Sequence, residues 1–161
     1  MPILKDTTLE SNKYLKINFD GGDLSSDAGL LLIKEFACKL GFVKLLKSEF
    51  KTNDTASFRY HKDDENLWQV IYQILGAYFE DDCADELTKD PILTAILVKK
   101  ALASQPTLSR FFNRMDEDSL NQFYTLMRRF RKVVYSIKKP EIILLDLDST
   151  LLNTYGHQEG E

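Results

Sequence analysis

A mainly helical α+β fold is predicted by three observations. Most of the chain carries apolar residues at the three- and four-residue spacing of a helix. One alternating run near the start reads as a strand, and one continuous apolar run after Pro140 reads as another, buried on both faces. The 161 residues then divide into a helical N-terminal domain over 1–139, with one early strand, and the start of a second, α/β domain over 140–161.

The elements follow in order. In KYLKINF, residues 13–19, Tyr14, Leu15, Ile17 and Phe19 are interleaved with polar residues, which predicts the early strand. Asp20-Gly21-Gly22-Asp23 breaks it. Ser25 or Ser26 is placed to cap a helix with Leu30, Ile33, Phe36, Ala37 and Leu40 on its stripe and Gly41 as its stop. A shorter helix covers Val43 to Phe50, and the polar stretch 51–62 is a loop. Asp63 or Asp64 caps a helix striped by Leu67, Val70, Ile71, Ile74, Leu75 and Tyr78, with Trp68 also in the core. Pro91 opens a short apolar helix, since a first helical turn tolerates proline. Ser104 caps another, with Pro106 in its first turn, running to about Met115. Asp118 caps the last helix, striped by Leu120, Phe123, Tyr124, Met127 and Phe130. The apolar run Ile142–Leu145 closes the series as the buried strand.

Composition narrows the class. At 43% hydrophobic and 29% charged the chain is in the globular range. No apolar run approaches the ~20 residues of a membrane helix, and the first residues lack the pattern of a secretory signal. Cys38 and Cys83 form neither a disulfide framework nor a metal motif, which fits a reducing cytoplasm. His61 and His157 stand apart from other ligand types and read as solvated loop residues.

The net charge of −4 hides an asymmetry. From Lys99 to Lys139 there are ten basic residues and three acids, so this segment carries +7 and the rest −11. Local sign steers a polyanion better than the total does. Within the segment, Thr107, Arg110, Asn113 and Arg114 share the polar face of one predicted helix, and they are residue types that contact phosphates and base edges. With the helix at 91–98 they approach helix-turn-helix proportions. Arg128, Arg129, Arg131 and Lys132 add a second basic group, which cannot all share one face. An ordinary amphipathic helix with Leu108, Phe111 and Phe112 in the core explains the same pattern without DNA.

Asp146 and Asp148 lie two apart in the final run, so on a strand both carboxylates project from one face. A buried carboxylate needs a partner, and a divalent ion such as Mg²⁺ is one. A strand end with Asp148 capping the next turn is the alternative.

Two families carry an Asp in such a place. DLDSTLLNT resembles the opening motif of haloacid-dehalogenase-like phosphatases, which would make Asp146 a nucleophile and Asp148 a general acid. The later Ser/Thr, Lys and acidic motifs of that family do not follow, so a working phosphatase is not expected. The second resemblance spans nearly residues 17–161. GGDLSSDAGLLLIKEF, RYHKDDENLWQVIYQILGAYFEDDCADELTKDP, LASQPTLSRFFNR and ILLDLDSTLLNTYGHQEG occur in one order and together resemble the N-terminal part of DDE-type bacterial insertion-sequence transposases. The chain departs from that pattern at GAYFEDDCADEL and at Thr88-Lys89.

The transposase resemblance implies a ribonuclease H-like catalytic core whose first strand carries the first of three acidic ligands. Asp148 is the best match and Asp146 the second. In such enzymes Mg²⁺ ions activate the attacking oxygen in DNA phosphoryl transfer. The second Asp and the Glu of the family lie further downstream, so the resemblance implies a truncated transposase, inactive alone, that binds the duplex DNA of transposon ends or assembles. Its expected partners are DNA and a second copy of itself, without a membrane, and its expected place is the bacterial cytoplasm at the nucleoid. A helical interaction module with no nucleic-acid role is the competing class.

Overall fold

A computed structural model describes residues 6–22 and 24–148. Among them, two short strands, β1 (Thr7–Thr8) and β2 (Lys16–Ile17), pair antiparallel with Thr7 opposite Ile17. Seven helices follow: α1 (Gly29–Lys39), α2 (Phe42–Glu49), α3 (Asp63–Leu75), α4 (Cys83–Glu86), α5 (Pro91–Leu97), α6 (Gln105–Phe112) and α7 (Glu117–Ile137). The mainly helical α+β class agrees with expectation. The early strand is shorter than 13–19, because only two of its residues find a partner in β1.

Helix ends follow local chemistry. Gly41 takes the left-handed φ of 69° that lets the chain leave α1 and enter α2 at once. Asp90 caps α5, its Oδ1 accepting from the Leu93 N–H at 2.7 Å with Pro91 at the first position. Three expected caps are corrected. Asp116, not Asp118, caps α7: its carboxylate accepts from the Ser119 N–H at 2.9 Å while the Ser119 hydroxyl accepts from the Asp116 N–H. Asp118 lies in the first turn, where its charge suits the helix dipole. At α3 the cap position is Lys62, whose N–H donates to Glu65 at 3.0 Å, and Asp63 and Asp64 occupy the first turn. Ser25 accepts from the Asp27 N–H and shapes the turn before α1, which starts only at Gly29.

The core joins α2, α3, α6 and α7 through rings. Phe42 of α2 sits 5.2 Å from Trp68 of α3 and 4.5 Å from Phe130 of α7, and Trp68 in turn meets Tyr72 at 4.8 Å. Phe50 bridges Phe123 of α7 at 4.9 Å and Phe111 of α6 at 6.1 Å. Trp68, Tyr72, Phe50 and Phe111 are buried, as burial of large apolar area favours.

The buried helix faces differ from the apolar stripes. In α3 the buried set is Asn66, Leu67, Trp68, Gln69, Tyr72 and Gln73, while Ile74 and Leu75 are exposed. Polar side chains enter because they find partners: the Gln69 amide donates to the Ala103 carbonyl and accepts from the Ala103 N–H, both at 2.8 Å. In α1 Lys34 is buried and donates to the Ala95 carbonyl at 3.1 Å, so Ile33 and Phe36 turn outward. Burial lowers the pKa of Lys34. In α7 Ser119 and Leu126 are buried, whereas Leu120, Tyr124 and Met127 are exposed.

The largest departure is in the last described segment. Residues 140–148 form no strand, and Ile142, Ile143, Leu144, Leu145 and Leu147 are exposed. The expected buried strand lacks, among the described residues, any neighbour to pair with. Residues 149–161, with His157, lie outside the described residues. No helix among the described residues is long and apolar enough to cross a membrane.

Candidate nucleic-acid interface

The loop 51–62, the start of α3 and the far end of α6 meet around two carboxylates. Asp54 holds Arg59 in a bidentate pair, Nε to Oδ2 at 2.7 Å and Nη2 to Oδ1 at 2.9 Å. Asp63 accepts from the Thr52 N–H at 2.8 Å, from its hydroxyl at 2.7 Å, and from Arg114 Nη2 at 3.1 Å. Arg114 also donates to the Arg110 carbonyl at 3.0 Å and reaches Asp54 at 3.6 Å. The Arg59 hydrogen bond, first, and the Ala56 N–H hold the Asp54 carboxyl well below the usual carboxylate range.

A cleft of about 210 Å³ opens above this cluster, lined by Arg59, Tyr60, His61, Asn66, Thr107, Arg110 and Arg114. Lys99 stands at its edge, with its ammonium 2.7 Å from Glu65, 2.7 Å from the Tyr60 carbonyl and 4.8 Å from the Tyr60 ring centre. His61 is half-buried, and burial first, then Lys99, lowers its pKa, favouring the neutral ring. Four cations (Arg59, Lys99, Arg110, Arg114) thus face three carboxylates (Asp54, Asp63, Glu65). Three of the cations are paired. Arg110 is exposed and makes no ion pair with a described residue, so the excess positive charge sits on it.

The expected residues are only partly brought together. Thr107, Arg110 and Arg114 share the cleft. Asn113 lines a different groove, beside Phe79, Glu80 and Asp81. On α7, Arg129 pairs with Glu49 of α2 at 2.6 Å. Arg128 and Arg131 line a shallow depression with Tyr124 and Met127, and Lys132 is exposed. At about 100° per residue, Arg128 and Lys132 are within ~40° of each other, while Arg131 lies nearer the apolar side. Arg59 and Tyr60 were not anticipated, His61 was read as a solvated loop residue, and Lys99 was counted only as part of the basic segment. The Arg-Tyr-His triplet at 59–61, inside a polar loop, is the signal that could have found the first three.

Asp146 and Asp148 are exposed on the segment 140–148, which forms no strand. Among the described residues no group of three His, Cys, Asp or Glu is gathered where it could hold a metal ion. Two carboxylates on an irregular exposed segment do not make a two-metal centre, so these residues do not fit Mg²⁺ by themselves.

No curated protein and no solved structure matches the chain. A family model described as transposase DDE domain, group 1, matches residues 7–161, which includes every element described above. Since that match runs through nearly the whole sequence, the chain belongs to the DDE transposase domain family.

Proposed function

We propose that the helical region binds duplex DNA for a transposase of the DDE class, with Arg110 as the leading phosphate contact. The observation that carries this reading is the division of labour in the cleft: Arg59 and Arg114 are spent on Asp54 and Asp63, while the exposed Arg110 keeps its guanidinium out of any ion pair with a described residue. An exposed guanidinium without an ion-pair partner keeps its forked donors for a phosphate. Thr107 adds a hydroxyl one turn away, and Arg128 with Lys132 supplies a second phosphate-binding pair on α7. Arg114 serves the fold by tying the end of α6 to Asp63, while Arg129 and Asn113 are peripheral.

The same reading assigns Asp148, with Asp146 second, to the first acidic position of a ribonuclease H-like core that works with Mg²⁺. Membership in the DDE family supports it. Metal would be held only once further carboxylates join this pair.

Fluorescence anisotropy of the full chain with a labelled duplex, over a salt series, tests the DNA assignment. Affinity should fall with log[salt] at a slope of about −0.9 per phosphate neutralised, and Arg110→Ala should reduce that slope by about 1. Binding indifferent to salt, or to Arg110→Ala together with Arg128→Ala, would replace DNA with a protein surface as the role of this face.

A further inference from the structure

α7 has a second face that no described element covers. Phe123, Leu126 and Phe130 turn toward α2 and the core. Beside them, Leu120, Tyr124, Met127, Arg131 and Val134 follow one another at spacings of four, three, four and three. That is the seam spacing of a two-helix coiled coil. Leu120 is 51% exposed, Tyr124 63% and Met127 62%. At about 100° per residue the five fall within an arc of about 80°, so they form one stripe.

We infer that this stripe pairs antiparallel with the same stripe of a second copy of the chain. The stripe is self-complementary only in that direction. Met127 then faces its own counterpart on the two-fold axis, Leu120 faces Val134, and Tyr124 faces Arg131. The last pairing occurs twice and sets a guanidinium on a tyrosine ring. An isologous contact requires this exchange of i for j. Charge along the helix agrees. Asp116 and Glu117 begin α7, and Lys138 and Lys139 follow its end, so antiparallel pairing brings the acidic turn of one copy to the lysines of the other. Parallel pairing would set Arg131 against Arg131 and acids against acids, which excludes it.

The helix spans roughly 30 Å, and one helix pair of that length is at the small end of stable interfaces. Association therefore rises with concentration. The contact leaves Arg110, on α6, and Lys132, on the far side of α7, to DNA, while Arg128 flanks the seam beside Tyr124 and Met127.

Disulfide trapping and sedimentation equilibrium of the full chain test the register, in a Cys38→Ser/Cys83→Ala background. Met127→Cys should cross-link to its counterpart on oxidation. Leu120→Cys alone should not, and Leu120→Cys with Val134→Cys should. Arg131→Glu should weaken self-association roughly tenfold with helix content unchanged, and adding Tyr124→Lys should restore it by a new ion pair across the seam. Three results overturn the inference. The first is a chain that stays monomeric and whose Met127→Cys variant does not cross-link. The second is a Leu120→Cys variant that cross-links with itself, as parallel pairing requires. The third is a monomeric Met127→Cys variant whose introduced thiol resists thiol reagents, because its own chain covers the stripe.

Discussion

Arg114 donates to Asp63 at 3.1 Å across 51 residues of sequence, joining the end of α6 to the start of α3. Both side chains are less than one-fifth exposed, so the pair is shielded from water on most sides. Its removal leaves a carboxylate that also serves Thr52 without its cation. Arg114→Ala is expected to cost about 1–3 kcal/mol of stability in chemical denaturation. Arg110→Ala, four residues away and exposed, is expected to stay within about 0.5 kcal/mol of the parent. Equal losses for the two would mean that the ion pair does not separate their roles.

Acid sensitivity should report the neighbouring pair. Asp54 has its pKa lowered from the usual 3.8, chiefly by the Arg59 hydrogen bond. A depressed folded-state value contributes stability that is present above the unfolded value and is lost as pH falls through the folded one. The contribution of Asp54 should therefore be intact at pH 5 and decline below about pH 4. Asp54→Asn should flatten the fall of denaturation midpoint below pH 4 and lower the midpoint at pH 7. A parent and variant with parallel pH profiles would show that the pair is not felt in folding.

A gain of stability is expected at the end of α5. Val98 occupies the left-handed region with φ 54° and ψ 45°, which a β-branched residue adopts at a cost. Its side chain is exposed and its N–H already closes on the Thr94 carbonyl. Val98→Gly is expected to raise stability by about 1 kcal/mol, read as a higher Tm. A lowered Tm would mean that the valine contacts outweigh the backbone strain.

Helix existence was legible in the sequence because the signals are local. Gly41, Pro91 and the turn after Phe50 each act on their own backbone, and α1, α2 and α5 begin or end beside them. Helix faces were less legible. Gln69 enters the core only because Ala103, 34 residues away, offers both a carbonyl and an N–H. No periodicity of apolar residues encodes such a partner. The cleft shows the same limit. Arg110 and Arg114 are one residue type four positions apart, and only Asp63 and Thr52, from distant sequence, assign one inward and leave the other out. The apolar run Ile142–Leu145 has the composition of an internal strand, yet strand formation needs a neighbour, and composition cannot supply one.

The Gln69 amide imitates a peptide group. It gives the backbone at Ala103 one donor and one acceptor, as an adjacent strand would, and it does so one residue before Ser104 and the start of α6. The root of α6 is thereby fastened to the middle of α3, while Arg114 fastens its tip to the start of the same helix. A rod pinned at both ends cannot swing. α6 and α3 should therefore behave as one rigid lever. A ligand held against α6 would transmit its load to α3 and, through the rings of Phe42 and Phe50, to α7.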